Sequence, residues 1–133
     1  MTAQLNPGDG DTVLHVKVGE SLAEAGRRAA QAMRSAQAGH PPIPYFGVSF
    51  GEVGQMLVAF TPKRWELIAA LRAQGPMTVA ELARHLGRNY KNVHGDITQL
   101  TAWMAVTRAA DGKVVVPWSE IIVDMKLPER RAA

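Results

Sequence analysis

The stretch from Thr78 to Met104 constrains the fold more tightly than any other part of this chain. Thr78-x-x-Glu81 is a capping box: the hydroxyl can accept from a free N–H of a first helical turn while the Glu reaches back to the cap. Behind it, Leu82, Ala83 and Leu86 predict a short helix over residues 79–86. Gly87 suits the left-handed residue that ends such a helix. Asn89 can cap a second helix, whose Val93, Ile97, Leu100 and Met104 recur at helical spacing. Two short helices across so tight a turn predict a helix-turn-helix.

The flanking residues extend the pattern. Thr61-Pro62 opens a preceding helix, with Thr at the cap and Pro in the first helical position. That helix runs to about residue 74, turns Trp65, Leu67, Ile68 and Leu71 to a core, and stops at Gly75-Pro76. Met77-Thr78 is long enough only for a tiny strand. Further on, β-prone runs at 106–108 and 113–116 flank Ala109-Ala110-Asp111-Gly112, and Asp-Gly between such runs predicts a hairpin. Residues 61–118 thus read helix, small strand, short helix, turn, helix, hairpin, the order of a winged helix-turn-helix. The predicted fold class is α+β: a winged helix-turn-helix core with an N-terminal strand-helix and a C-terminal strand appended.

Residues 1–11 read as a polar, mobile tail. Over residues 12–60, a strand places Leu14, Val16 and Val18 on one face and His15 and Lys17 on the other. Ser21-x-x-Glu24 is a further capping box, opening a helix to about residue 38 with a stripe of Leu22, Ala25, Ala29, Met33 and Ala36. Gly39 and the prolines at 41, 42 and 44 end it. Residues 45–48 can form another strand, and Ser49-x-x-Glu52 is expected to open a helix with Val53, Leu57 and Phe60 on one side. In residues 119–133, Ile121, Val123, Met125 and Leu127 alternate as one face of a strand before a charged tail, Glu129-Arg130-Arg131. Two lone strands and an Ala-rich helix cannot stand alone. They are expected to build a homodimer interface or a partner-binding surface; the alternative is that they close the chain's own core.

The formal net charge of +3 lies wholly in the middle third. Residues 61–108 set Lys63, Arg64, Arg72, Arg84, Arg88, Lys91 and Arg108 against Glu66, Glu81 and Asp96, while the flanking segments carry little net charge. A basic patch confined to one segment is the footprint of a polyanion. With the apolar positions of the second short helix turned inward, its outer face shows Lys91, Asn92, Gly95 and Asp96 or Gln99, with Asn89, Tyr90 and His94 at its start and flank. Lys and Arg neutralise phosphate, Asn can bond an adenine edge through two hydrogen bonds, and a helix N-terminus favours an anion. The candidate DNA-binding residues are Thr78, Arg84, Arg88, Asn89, Tyr90, Lys91, Asn92, His94 and Gly95, with Arg108 and Lys113 on the wing.

Other chemistry is poorly represented. There is no cysteine, so no thiolate nucleophile or thiolate metal site. His15, His40, His85 and His94 lack ligand spacing, and no glycines form a phosphate loop. Trp65, Trp103 and Trp118 read as core rather than as stacking platforms. No enzyme activity, catalytic residue, metal or cofactor is expected. No apolar run approaches the roughly 18–20 residues that span a bilayer, and residues 1–11 lack the pattern of a secretory signal. A soluble, cytoplasmic protein without a membrane partner is expected.

The run Thr61-Pro62-Lys63-Arg64-Trp65-Glu66-Leu67, then Gly75-Pro76-Met77-Thr78, then Glu81-Leu82-Ala83-Arg84-x-Leu86-Gly87-Arg88-Asn89-Tyr90-Lys91-Asn92-Val93-His94 resembles the MarR-like winged-helix regulators of prokaryotes, many of them described as antitoxins. The likeness extends through Asp111-Gly112-Lys113 to Glu120-Ile121-Ile122-Val123-Asp124, covering roughly residues 45–127, and is most specific from Arg88 to His94. It implies a transcription regulator that binds double-stranded DNA without enzyme activity, sits beside a cognate toxin and represses its own operon. One position departs: Gly95 stands where the family usually has a basic residue.

Overall fold

The computed structural model describes residues 12–40 and 45–127. The expected tail over 1–11, the prolines at 41, 42 and 44 and the charged tail beyond 127 lie outside the described residues.

The first strand, β1 (Val13–Val18), is central in a parallel sheet of order β2-β1-β5, with β2 at Phe46–Phe50 and β5 at Glu120–Met125. Its alternation is as expected: Leu14, Val16 and Val18 are buried. The register sets Leu14 beside Phe46 and Ile121, Val16 beside Val48 and Val123, and Val18 beside Phe50 and Met125. One face of this sheet therefore joins the core laid down by the helices that follow β2. The two terminal strands meet within a single chain, and β1 closes that chain's own core.

The other face carries helix α1 (Leu22–Gln37), with Ser21 as its cap. The apolar stripe of this helix is left uncovered within the chain. No residue of α1 is buried, and Leu22 and Met33 are 93% and 64% exposed. Polar contacts hold the helix instead. Only the Ser21 half of the capping box forms, at 3.1 Å, because the Glu24 carboxylate accepts from Lys126 at 2.7 Å. Arg28 pairs with Glu20 and lies over the Tyr45 ring, which stacks on His15 at 4.9 Å.

Helix α2 (Val53–Ala59) begins later than expected. Ser49 continues β2 opposite Lys17, so Glu52 becomes the cap and forms a reciprocal box with Gln55. The shift changes the buried face: Met56, Ala59 and Phe60 point inward, while Leu57 is half exposed.

The remaining elements follow the expected order. In α3 (Pro62–Gln74), the Thr61 hydroxyl accepts from the Arg64 N–H at 3.2 Å, and Leu67, Ile68 and Leu71 are buried. Trp65 stacks on Phe60 at 4.9 Å. In α4 (Val79–Leu86) both halves of the Thr78–Glu81 box form, and Gly87 ends the helix at φ 63°. In α5 (Tyr90–Ala102) the Asn89 side chain caps the first turn, and Val93, Ile97 and Leu100 are buried. Met104 does not complete that row. The helix has ended, Met104 takes a left-handed φ of 70° and is partly exposed, and Ala105 and Val106 fill the core in its place.

The hairpin joins β3 (Thr107–Arg108) to β4 (Val114–Val115) in antiparallel register. Its turn closes with the Gly112 N–H donating to the Ala109 carbonyl, Gly112 adopting φ 84°. Met77 exchanges backbone hydrogen bonds with Val114 at 3.2 and 2.8 Å. The tiny strand is thus real, and it ties the wing to the start of α4. Trp118 is buried and donates its indole N–H to the Met104 carbonyl at 2.7 Å.

Candidate nucleic-acid interface

The interface is built on the N-terminal turn of α5. Asn89 Oδ1 accepts from the backbone N–H groups of Lys91 and Asn92 at 2.8 and 3.3 Å. This cap fixes the turn and absorbs one acceptor of a candidate site residue, leaving its amide NH₂ to donate. Among the described residues, the side chains of Lys91 and Asn92 are exposed and enter no hydrogen bond. Tyr90 is 54% exposed, its ring 6.0 Å from that of His94, so it does not pack beneath α4. Gly95 is exposed, and a side chain added there would meet nothing within 4 Å.

Beneath this turn lies a cluster that sequence spacing does not reveal. Asp96, expected on the outer face, is largely buried at 15% side-chain exposure. One carboxylate oxygen accepts from Arg88 at 2.7 Å and the other from Arg64 at 3.0 Å. Arg64 also donates to the Ala59 carbonyl at 2.8 Å, tying the end of α2 to α5. Arg88 is therefore only 18% exposed and works from within. Its second terminal nitrogen is buried with no hydrogen-bond partner among the described residues. Two guanidinium groups on one carboxylate leave a positive charge, added to the positive end of the α5 dipole.

A second group forms around Glu81. Its carboxyl is held below the usual range, first by the Thr78 backbone N–H and then by the Thr78 hydroxyl, with Lys113 and Arg84 adding attraction. Arg84 and Lys113 thus both lie within electrostatic reach of Glu81, and the Thr78 oxygen is occupied as a cap. Lys113 sits at the base of the wing turn, where its N–H donates to Asp111, and Arg108 is exposed on β3. The tryptophans all serve the core: Trp103 lies 4.7 Å from Phe50 and Trp118 lies 5.1 Å from Phe46. No group of three or more His, Asp or Glu able to hold a metal occurs among the described residues. No helix among them is long and apolar enough to cross a membrane.

Three helices, a hairpin pinned back to the second of them and an exposed, capped last helix define the winged helix-turn-helix class. Residues 59–123 match the family model described as HVO_A0114. The matched stretch runs from the end of α2 into β5 and omits β1, α1 and β2. Comparisons with curated proteins and with solved structures find no match.

Proposed function

We propose that this chain is a sequence-specific, double-stranded DNA-binding regulator of transcription, acting in the cytoplasm as a homodimer. One observation carries the reading. The first turn of α5 offers unpaired Lys91 and Asn92 side chains above the excess charge of the Arg64–Asp96–Arg88 cluster. In this reading Lys91, Arg84, Arg108 and Lys113 meet phosphate, Asn92 meets a base edge, and Tyr90 and His94 line the approach. Arg88 and Asn89 hold the turn in shape rather than meeting DNA through every polar atom. No enzyme activity, metal or cofactor belongs to the proposal. Selection of duplexes from a random pool, followed by shift assays at two salt concentrations, tests it. An enriched sequence bound more weakly at high salt supports it, and failure to enrich any sequence rejects it.

The likeness to MarR-like antitoxins adds a second reading, neutralisation of a toxin protein. It draws on α1, whose Leu22 and Met33 no described element covers. Recovery of one stoichiometric partner with the intact chain, lost on Met33→Glu, would favour it. DNA binding unaltered by any protein partner would not.

A further inference from the structure

β5 is an edge strand, and among the described residues nothing pairs with its outer side. The Lys126 N–H donates to the Val18 carbonyl at 2.9 Å. Backbone groups of successive strand residues point to opposite sides. Even-numbered residues of β5 therefore turn toward β1, and Ile121, Val123 and Met125 turn their N–H and C=O to the open side. The side chains of the same three residues lie on the inner face and are incompletely covered: Val123 is 38% and Met125 46% exposed. Ile121 lines an open groove of about 540 Å³ with Trp65, Ile68, Ala69, Arg72 and Ala73 of α3. A long apolar edge of this kind invites strand addition unless it is paired or blocked.

We propose that the occupant is a second copy of β5, antiparallel to the first about a two-fold axis through Val123. Charge and length of overlap select this register: centring on Met125 also opposes unlike charges, Asp124 and Lys126, but pairs only residues 123–127 of the described chain. Residues directly opposite share a face, and the outward-bonding residues must meet one another, so odd positions oppose odd positions. Centring the axis on Ile122 sets Glu120 opposite Asp124. Centring it on Asp124 sets that carboxylate opposite its own copy. Both oppose like charges, which destabilises a strand pair. Centring on Val123 sets Glu120 opposite Lys126 twice, adding to the pair that Lys126 makes with Glu24 of its own chain, Ile121 opposite Met125 twice and Val123 opposite itself. Ile122 then faces Asp124, whose carboxylate is already paired with Lys17. Met125 of the second copy arrives beside Ile121, at the mouth of the α3 groove. The other edge, β2, carries no charged residue to select a register; its Phe50 is buried and its Phe46 and Val48 are partly buried.

An axis perpendicular to the sheet keeps both winged helices on the same side, because each packs on the inner face. This consequence rests on the proposed DNA reading; the self-association does not. The test uses the full chain, which has no cysteine. Opposed Cα atoms in such a pair lie about 5.5 Å apart, inside the disulfide range of roughly 4.4–6.8 Å. Mild oxidation is expected to convert Val123→Cys into a covalent dimer and to leave Leu22→Cys, on the exposed face of α1, monomeric. Glu120→Lys and Lys126→Glu are each expected to weaken the dimer about ten-fold or more, by opposing like charges at two places. The double exchange is expected to restore it, with circular dichroism confirming that every variant is folded. A full chain that sediments as a monomer at micromolar concentration overturns the proposal. So does cross-linking at Leu22→Cys without cross-linking at Val123→Cys, or a double exchange no better than the single changes.

Discussion

Arg88 and Asp96 are joined at 2.7 Å beneath the first turns of α5, and this bond makes the most basic part of the sequence structural as well as electrostatic. Removing the carboxylate would leave two largely buried guanidinium groups facing each other. Asp96→Ala is expected to cost about 3 kcal/mol, the lower end for a broken buried pair because some solvent reaches the site. Urea unfolding checks this, and a loss below about 0.5 kcal/mol, the scale of an ordinary surface substitution, contradicts the structural role.

Lys91→Ala is expected to weaken binding to all duplexes alike. The slope of log K against log salt should flatten by about 0.9, the share of one phosphate contact. An unchanged slope would remove Lys91 from the phosphate-facing set.

Asn92→Ala is expected to cost about 1–3 kcal/mol on a selected site and little on random DNA. Because its backbone N–H, not its side chain, bonds Asn89, the fold should be unaffected. Equal losses on both duplexes would make Asn92 a positioning residue.

At position 95 a side chain has open space and no positive φ to overcome. Gly95→Ala is expected to stabilise the helix by about 1 kcal/mol. Gly95→Arg should add tighter DNA binding to that gain. Weaker binding by Gly95→Arg, with stability raised, would show that DNA approaches the α5 backbone closely.

Much of this was legible because it is local. The caps at Thr61, Thr78 and Asn89, the left-handed Gly87 and the wing turn each depend on residues within one or two turns of one another. The errors have physical causes too. Ser49 carries a cap signature, yet pairing of β2 with β1 keeps it extended, and the start of α2 moves on to Glu52. Met104 continues the spacing of Val93, Ile97 and Leu100, but α5 ends at Ala102 and the chain turns under Trp118. The role of Asp96 was hidden because Arg64 lies 32 residues away. The apolar stripe on α1 does not decide how that helix is held, because the polar outer face of the sheet meets it through Lys126 and Arg28.

His15 supplies a pH test of that outer face. Partial burial, with Lys17 and Arg28 nearby, holds its imidazole below its ordinary value of 6.5, Asp124 opposing the shift. The unfolded chain therefore binds this proton more readily, and stability should fall as pH drops through 6.5 toward the lowered folded value. The carboxyls of Glu24 and Asp124, themselves held low by Lys126 and Lys17, titrate further down, so the window is separate. Unfolding of His15→Gln between pH 7 and 5 should show a flatter profile than the parent chain. Parallel profiles would remove His15 as the source.

The central claim is that the exposed first turn of α5 reads double-stranded DNA. The most direct measurement is amide chemical-shift mapping of the full chain titrated with a duplex enriched from a random pool, at low and moderate salt. The account predicts the largest changes at residues 89–95, with smaller ones at Arg84, Arg108 and Lys113 and a weaker complex at the higher salt. Changes confined to α1 or β5, or none at all with any duplex, would contradict it.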